Sequence, residues 1–392
     1  MLTSLAFIFL LGLLLGSVFQ KLKLPNLIGL LLTGIILGPY LLNLLDNSIL
    51  SISADLRQLA LIIILTRAGL SLNIEDLKKV GRPAMLMCFV PACFEIAGTV
   101  LLAPPLLGIS YLEAAIMGSV IAAVSPAVIV PRMLKLMEEG YGINNSIPQL
   151  IMAGASVDDV FVIVLFTSFT SLATGGNISA ISFAKIPVSI ITGALIGSLI
   201  GYLLVIFFKK KHFRDSAKVI ILLSISFLLV AFEKYAENLF PVSGLLAVMA
   251  MGAMIFRRYP VLSERLSNKF TKLWVGAEIL LFVLVGATVD VSYALSAGLP
   301  SMILIFSVLA LRMTGVFFCL LKTGLSLKER LFCMIAYMPK ATVQAAIGGL
   351  PLAMGLPCGQ IVLTVAVLSI LITAPLGALG VDLTYRKLLK AS

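Results

Sequence analysis

The fold is decided by the stretch Met152-Ala-Gly-Ala-Ser-Val-Asp-Asp-Val-Phe-Val-Ile-Val-Leu-Phe166, an apolar run interrupted in its middle by two adjacent carboxylates, Asp158 and Asp159. Ser146 and Pro148 before it are typical of a helix start, an N-cap followed by a proline in the first turn. A helix of about 25 residues from there would measure about 37 Å, against a hydrocarbon core of about 30 Å. Both aspartates would lie near the bilayer midplane, where a charge costs at least about 2.5–3.5 kcal/mol on insertion scales. We therefore expect a functional ion site there.

The composition predicts a polytopic helical membrane protein. Hydrophobic residues make up 60% of the 392 residues and charged residues 12%, and the mean hydropathy is +1.13. These values exclude a soluble globular chain, and the continuous apolar runs exclude a β-barrel, whose strands would alternate. The net charge of +11 does not indicate nucleic-acid binding, because the positive residues lie in short loops between apolar segments. The expected surroundings are membrane lipid.

Length and hydropathy predict about 13 transmembrane helices in a single domain over residues 1–392. The predicted spans are 2–20, 26–45, 56–73, 83–107, 111–131, 148–173, 184–208, 217–238, 241–257, 271–289, 299–321, 330–353 and 357–379.

The basic residues predict the orientation. Of the 29 Lys and Arg, 23 fall in alternate loops, including Lys78 and Lys79, the cluster 209–218, the cluster 257–272 and the tail after residue 385. Positive residues mark the cytoplasmic side. The chain is therefore expected to cross a cell membrane (inner or plasma) many times, with an uncleaved first span, its amino terminus outside and its carboxyl terminus in the cytoplasm.

Two spans carry a proline-bearing polar break at mid-depth, Val124-Ser-Pro-Ala-Val-Ile-Val-Pro131 and Met338-Pro-Lys-Ala-Thr-Val-Gln-Ala345. The prolines Pro126 and Pro339 are 213 residues apart. An odd shift of seven spans relates them, so the halves, about 26–173 and 241–379, would form inverted-topology repeats with two crossed discontinuous helices. Inverted repeats with one broken helix each indicate a secondary transporter whose site lies at the midplane.

The breaks and the aspartates together suggest a cation site. Broken helices leave free carbonyl ends and positive amino ends at mid-depth. Lys340 could neutralise carbonyl ends, and Asp158 or Asp159 could face amino ends. Neutral oxygens come from a set of three polar residues, Ser125, Thr342 and Gln344.

Adjacent buried carboxylates cannot both ionise freely, so the pair is expected to titrate as a unit. Such a site exchanges a proton for Na⁺ as its access alternates. One span before each break lie two further intramembrane charges, Glu95 and Arg312, which are 217 residues apart. We expect a buried ion pair between them, with a structural role or a role in ion coupling.

The motifs Ala123-Val-Ser-Pro-Ala-Val-Ile-Val-Pro131, Ala153-Gly-Ala-Ser-Val-Asp-Asp159 and Pro339-Lys-Ala-Thr-Val-Gln-Ala-Ala346 carry a family resemblance. The chain resembles the monovalent cation-proton antiporters, and especially the NHA-like branch of sodium/proton antiporters. The resemblance implies an NhaA-like fold, a homodimer, a main ion carrier at Asp159 with Asp158 as its partner, and Lys340 in the crossover. Electrogenic relatives place a Lys against the first aspartate and electroneutral ones usually replace that aspartate by Asn. This chain does neither, so the stoichiometry stays open.

The predicted function is antiport of Na⁺ or Li⁺ against H⁺, with no cofactor and no enzymatic activity. Alternatives are a K⁺/H⁺ antiporter on the same fold and, less favoured, a sodium-coupled symporter of an organic anion. An intramembrane aspartyl protease is disfavoured because its aspartates must face each other, whereas neighbours on one helix point about 100° apart. A channel is disfavoured because the charges form one isolated site and not a lining ring.

Overall fold

A computed structural model describes residues 1–72, 81–174, 180–211, 213–236 and 240–391. The basic residues Lys78 and Lys79 of the topology prediction lie outside the described residues. Within these ranges the regular structure is helical, apart from one isolated antiparallel β-bridge between Tyr141 and Ala391. The all-α prediction is confirmed.

Nineteen helices, numbered along the chain, make up the described residues. They are α1 Leu2–Lys21, α2 Asn26–Leu37, α3 Asn47–Leu50, α4 Ser53–Ser71, α5 Arg82–Met87, α6 Val90–Leu107, α7 Tyr111–Ile121, α8 Pro126–Glu138, α9 Ile147–Thr174, α10 Ala180–Lys210, α11 Asp215–Ala236, α12 Gly244–Arg258, α13 Pro260–Ala287, α14 Val291–Ser296, α15 Gly298–Cys319, α16 Leu327–Ala336, α17 Thr342–Ile347, α18 Leu350–Ala353 and α19 Gly359–Leu388.

The helices match the predicted membrane segments. Nine helical stretches of the described chain are long and apolar enough to cross a membrane. Each predicted span contains a helix, and the four that fall outside the nine are shorter, interrupted or richer in charge. The protein is thus a multi-pass membrane protein.

One predicted loop is helical. The cluster 257–272 was expected to be a basic loop before a span at 271–289, but α13 begins at Pro260 and runs 28 residues. Proline suits the first helical position. Leu262, Leu266 and Phe270 recur every four residues and are fully buried, so an apolar stripe continues through the charged segment and keeps it helical. The loop prediction was wrong there.

The chain divides into two compact units. One unit contains residues 1–54, 75–166 and 279–392, and the other contains residues 55–74 and 167–278. The second unit is packed through glycines. Gly193, Gly197 and Gly201 on α10 approach the backbone of α12 so closely that an added methyl group would overlap it. Small residues spaced by four let membrane helices approach in this way, here between two helices of the same chain.

The first unit contains both interrupted helical segments. The segment of α7 and α8 is broken between Ile121 and Pro126, and that of α16 and α17 between Ala336 and Thr342. Helix α6 packs against α7 and α15, with Gly98 and Gly315 allowing the close approach to α15. This packing brings one buried acid on α6 and one buried base on α15 to the breaks.

Candidate ion-binding site

The two breaks meet inside the first unit. The Ser125 amide donates to the Pro339 carbonyl oxygen at 2.8 Å. The Lys340 amide donates to Thr373 Oγ1 of α19 at 3.0 Å. A proline follows Ser125 and another precedes Lys340, and proline has no amide hydrogen to continue a helix. The polar backbone freed by each break is therefore satisfied by the other break and by α19.

The carbonyl end of α7 is covered by side chains from the second half of the chain. Lys340 Nζ donates to the Ile121 carbonyl oxygen at 2.5 Å, and Gln344 Nε2 donates to the Ala123 carbonyl oxygen at 2.9 Å. Arg312 makes a short hydrogen bond to the carbonyl oxygen of the intervening Ala122. A helix carboxyl end carries partial negative charge, so two cations and an amide group stabilise it.

Asp158 faces the opposite side of the same break. Its carboxylate is fully buried, and Oδ2 accepts the Val124 amide at 2.8 Å and Arg312 Nη2 at 2.7 Å. Val124 lies two residues before α8, so this aspartate compensates the amide side of the break. Its other oxygen, Oδ1, is buried and has no hydrogen-bond partner.

Glu95 and Arg312 form a buried ion pair that is part of a larger network. Arg312 Nη1 lies 3.1 Å from Glu95 Oε2, and both side chains are fully buried. Lys340 Nζ lies 2.6 Å from Glu95 Oε1. With the Arg312–Asp158 pair, two acids and two bases balance in charge. Sequence reasoning did not foresee that Arg312 also binds Asp158 or that Lys340 binds Glu95. The available signal was the equal number of intramembrane acids and bases around the breaks.

Asp159 stands outside this balanced network. It is partly buried, its Oδ1 is shielded from solvent without a hydrogen-bond partner, and it forms no ion pair with any described residue. Three further buried oxygens in the first unit also have no partner, and they belong to Asp158 (Oδ1), Ser125 (Oγ) and Gln344 (Oε1). Carboxylate, hydroxyl and amide oxygens are the ligands of hard cations. Buried polar atoms normally have partners, so these oxygens are candidates to hold one.

The remaining predicted residues frame the site. Pro126 is the first residue of α8, and Pro339 lies in the second break. Thr342 is the first residue of α17 and is 5% exposed. The described residues contain no group of three or more His, Cys, Asp or Glu side chains that could hold a metal ion in a conventional cluster.

A family model described as "Sodium/hydrogen exchanger, transmembrane" matches residues 5–386. The chain belongs to the sodium/hydrogen exchanger family. Among its relatives are the mouse sodium/hydrogen exchanger 9B2, 32% identical over 96% of this chain and 72% of the relative, and the human 9B2 protein, 34% identical over 94% and 70%. The human sodium/hydrogen exchanger 9B1 is 31% identical over 86% of this chain and 67% of the relative. These exchangers confirm the resemblance predicted from the motifs.

The fold is also that of a solved antiporter. The sodium proton antiporter MjNhaP1 from Methanocaldococcus jannaschii superimposes with a TM-score of 0.86, covering 99% of this chain and 98% of the other at 20% identity. This likeness shows a shared fold. The family members named here are ion exchangers and not enzymes.

Proposed function

We propose that this protein exchanges Na⁺, or Li⁺, for H⁺ and that Asp159, assisted by Asp158, carries both ions. The observation that supports this assignment most directly is the charge balance around the breaks. Glu95, Asp158, Arg312 and Lys340 compensate one another, whereas Asp159 has neither an ion pair nor a hydrogen bond among the described residues. A carboxylate in that position needs a proton or a cation, since an uncompensated buried charge is costly.

The exchange follows from competition for one carboxylate. A proton neutralises Asp159 and removes a cation ligand, and a bound Na⁺ occupies the oxygen that would take the proton. Each ion therefore leaves only when the other replaces it. Neutral oxygens from Ser125, Gln344 and Thr342 would complete the cation's shell, while Lys340 and the two break prolines keep the half-helices apart. The proposed architecture is 13 membrane spans in inverted repeats that alternate access to the site.

The network also indicates a stoichiometry. Asp158 already has a full compensating charge in Arg312 at 2.7 Å, so it has no need to gain and lose a proton in each cycle. One carboxylate then carries one Na⁺ or one H⁺ in turn. We expect electroneutral exchange of one for one. The protein would act as a homodimer in a cell membrane, inner or plasma, with the amino terminus outside.

The test is ion flux in proteoliposomes under an imposed pH gradient. Na⁺, Li⁺ and K⁺ are added in turn, with the membrane potential clamped or free. Proton movement driven by Na⁺ or Li⁺ and independent of the clamp is expected. Movement with K⁺ alone would replace the substrate, and dependence on the clamp would contradict the stoichiometry.

Asp159→Asn should abolish exchange without unfolding the protein. The matched control is Asp290→Asn, which alters an exposed helix cap that asparagine can replace. Retained Na⁺-dependent proton flux in Asp159→Asn would sink the carrier assignment, and lost flux in the control would show that the assay responds to unrelated changes.

A further inference from the structure

Tyr337 is a large aromatic residue at the end of α16 that no prediction from the sequence included. Its side chain is 1% exposed. Its carbonyl oxygen accepts Arg312 Nε at 3.1 Å, and its ring centroid lies 5.6 Å from the guanidinium carbon of the same arginine. The backbone and the ring of Tyr337 therefore fix the plane of the guanidinium group that binds Asp158 and Glu95.

The hydroxyl group of Tyr337 points somewhere else. It is buried without a hydrogen-bond partner, which is costly for a tyrosine in an apolar core. It lies against Gly154 on α9, so closely that a methyl group added there would overlap the hydroxyl oxygen. The hydroxyl thus occupies a notch in the surface of the helix that carries both aspartates.

Gly154 lies four residues before Asp158, so the notch and the aspartate share one face of α9. Their Cα atoms are separated by about 6 Å along the helix axis, and a helical side chain leans towards the amino end, over the preceding turn. The gap that remains can be spanned by a hydrogen bond, directly or through one water. Asp158 Oδ1, an acceptor without a donor, and the Tyr337 hydroxyl, a donor without an acceptor, therefore lie along the same path.

We propose that Tyr337 is a positioning residue for ion exchange, whose hydroxyl donates to Asp158 Oδ1 and so withholds that oxygen from the cation carried at Asp159. This rests on the proposed function. Arg312 and Val124 already hold Oδ2, and the hydroxyl then holds Oδ1, so that Asp158 is fully engaged. The other charged or titratable groups around the hydroxyl are Arg312, Cys88 and Cys319, and the thiols are weak donors.

The consequence is a tuned affinity. With the hydroxyl present, the cation has one free carboxylate and is released readily. Without it, Asp158 Oδ1 becomes available as a second anionic ligand near the cation. The affinity should then rise, and release should slow.

The test is Tyr337→Phe, which keeps the ring over Arg312 and removes only the hydroxyl. Na⁺-driven proton flux in proteoliposomes is expected to show KM and Vmax both lowered by about three- to tenfold, the factor associated with one hydrogen bond. The melting temperature should stay the same or rise. The control is Tyr141→Phe, the same chemical change in a loop tyrosine that stacks on Tyr385, and it should leave KM and Vmax unchanged.

Other outcomes overturn the proposal. An unchanged KM would show that the hydroxyl has no part in exchange, and a raised KM would make it a direct ligand of the cation instead. If Tyr337→Phe does not fold, Gly154→Ala replaces it, because the added methyl displaces the hydroxyl and should lower KM in the same way. Wild-type protein is measured in the same vesicles: its failure to exchange any cation would remove the proposed function and this inference together, whereas active wild type with an unaltered variant refutes only the inference.

Discussion

Replacing Arg312 by methionine should destabilise the protein more than any other single change in the network. The guanidinium binds two buried carboxylates, Glu95 at 3.1 Å and Asp158 at 2.7 Å, and the carbonyl oxygens of Ala122 and Tyr337. Methionine is similar in length and has no charge. Its introduction leaves the first unit with one uncompensated buried negative charge.

The structure identifies which acid is stranded. Glu95 keeps Lys340 at 2.6 Å, whereas Asp158 keeps only the Val124 amide. Breaking a buried pair from one side costs about 3–5 kcal/mol. At about 2–4 °C per kcal/mol for a larger domain, the melting temperature should fall by roughly 6–20 °C. Adding Asp158→Asn should recover a large part of this loss, and adding Glu95→Gln should recover less.

The measurement is thermal melting of the detergent-solubilised variants, followed by the fraction that stays monodisperse. The control is Arg386→Met, which removes a surface ion pair whose arginine is 68% exposed, and it should change the melting temperature little. If the double variant with Asp158→Asn melted no higher than Arg312→Met alone, or lower than the double variant with Glu95→Gln, the assignment of the stranded charge would be wrong.

Two further predictions concern single positions. Lys340→Met should lower the melting temperature, but less than Arg312→Met does, because Lys340 pairs with one carboxylate and Glu95 keeps its arginine; an equal or larger fall in the same melting assay would contradict this. Gly197→Val should destabilise the second unit by about 1–3 kcal/mol or more, since its side chain would overlap the α12 backbone, whereas Gly298→Ala, where an added methyl meets nothing within 4 Å, should be close to neutral when melting is compared.

The helical framework was predictable because its signals are local. Apolar length identifies a membrane helix, and a proline beside polar residues inside such a run identifies a break. The breaks therefore appear where Ser125-Pro126 and Pro339-Lys340 predicted them. The start of α13 was missed because charge was taken as the mark of a loop. Its buried leucines, four residues apart, carried the opposite signal.

The partners within the site were less predictable because they depend on side-chain reach across the fold. Matching positions in the two halves suggested that Glu95 meets Arg312, but no spacing in the sequence relates Arg312 to Asp158 or Tyr337 to Gly154. A tyrosine before a break looks like any other core aromatic residue. Its significance depends on a glycine almost two hundred positions away that leaves room for the hydroxyl.

The network explains why this chain can have aspartate at both positions of the pair. Two ionised carboxylates in succession at mid-membrane repel each other and are poorly solvated. Arg312 removes that conflict by neutralising Asp158, but a lone guanidinium would leave Glu95 competing for it. Lys340 resolves this second conflict, because it takes Glu95 Oε1 while Arg312 takes Oε2. The two bases are thus required together, and their joint effect is to leave Asp159 as the carboxylate whose charge depends on the ion that it holds.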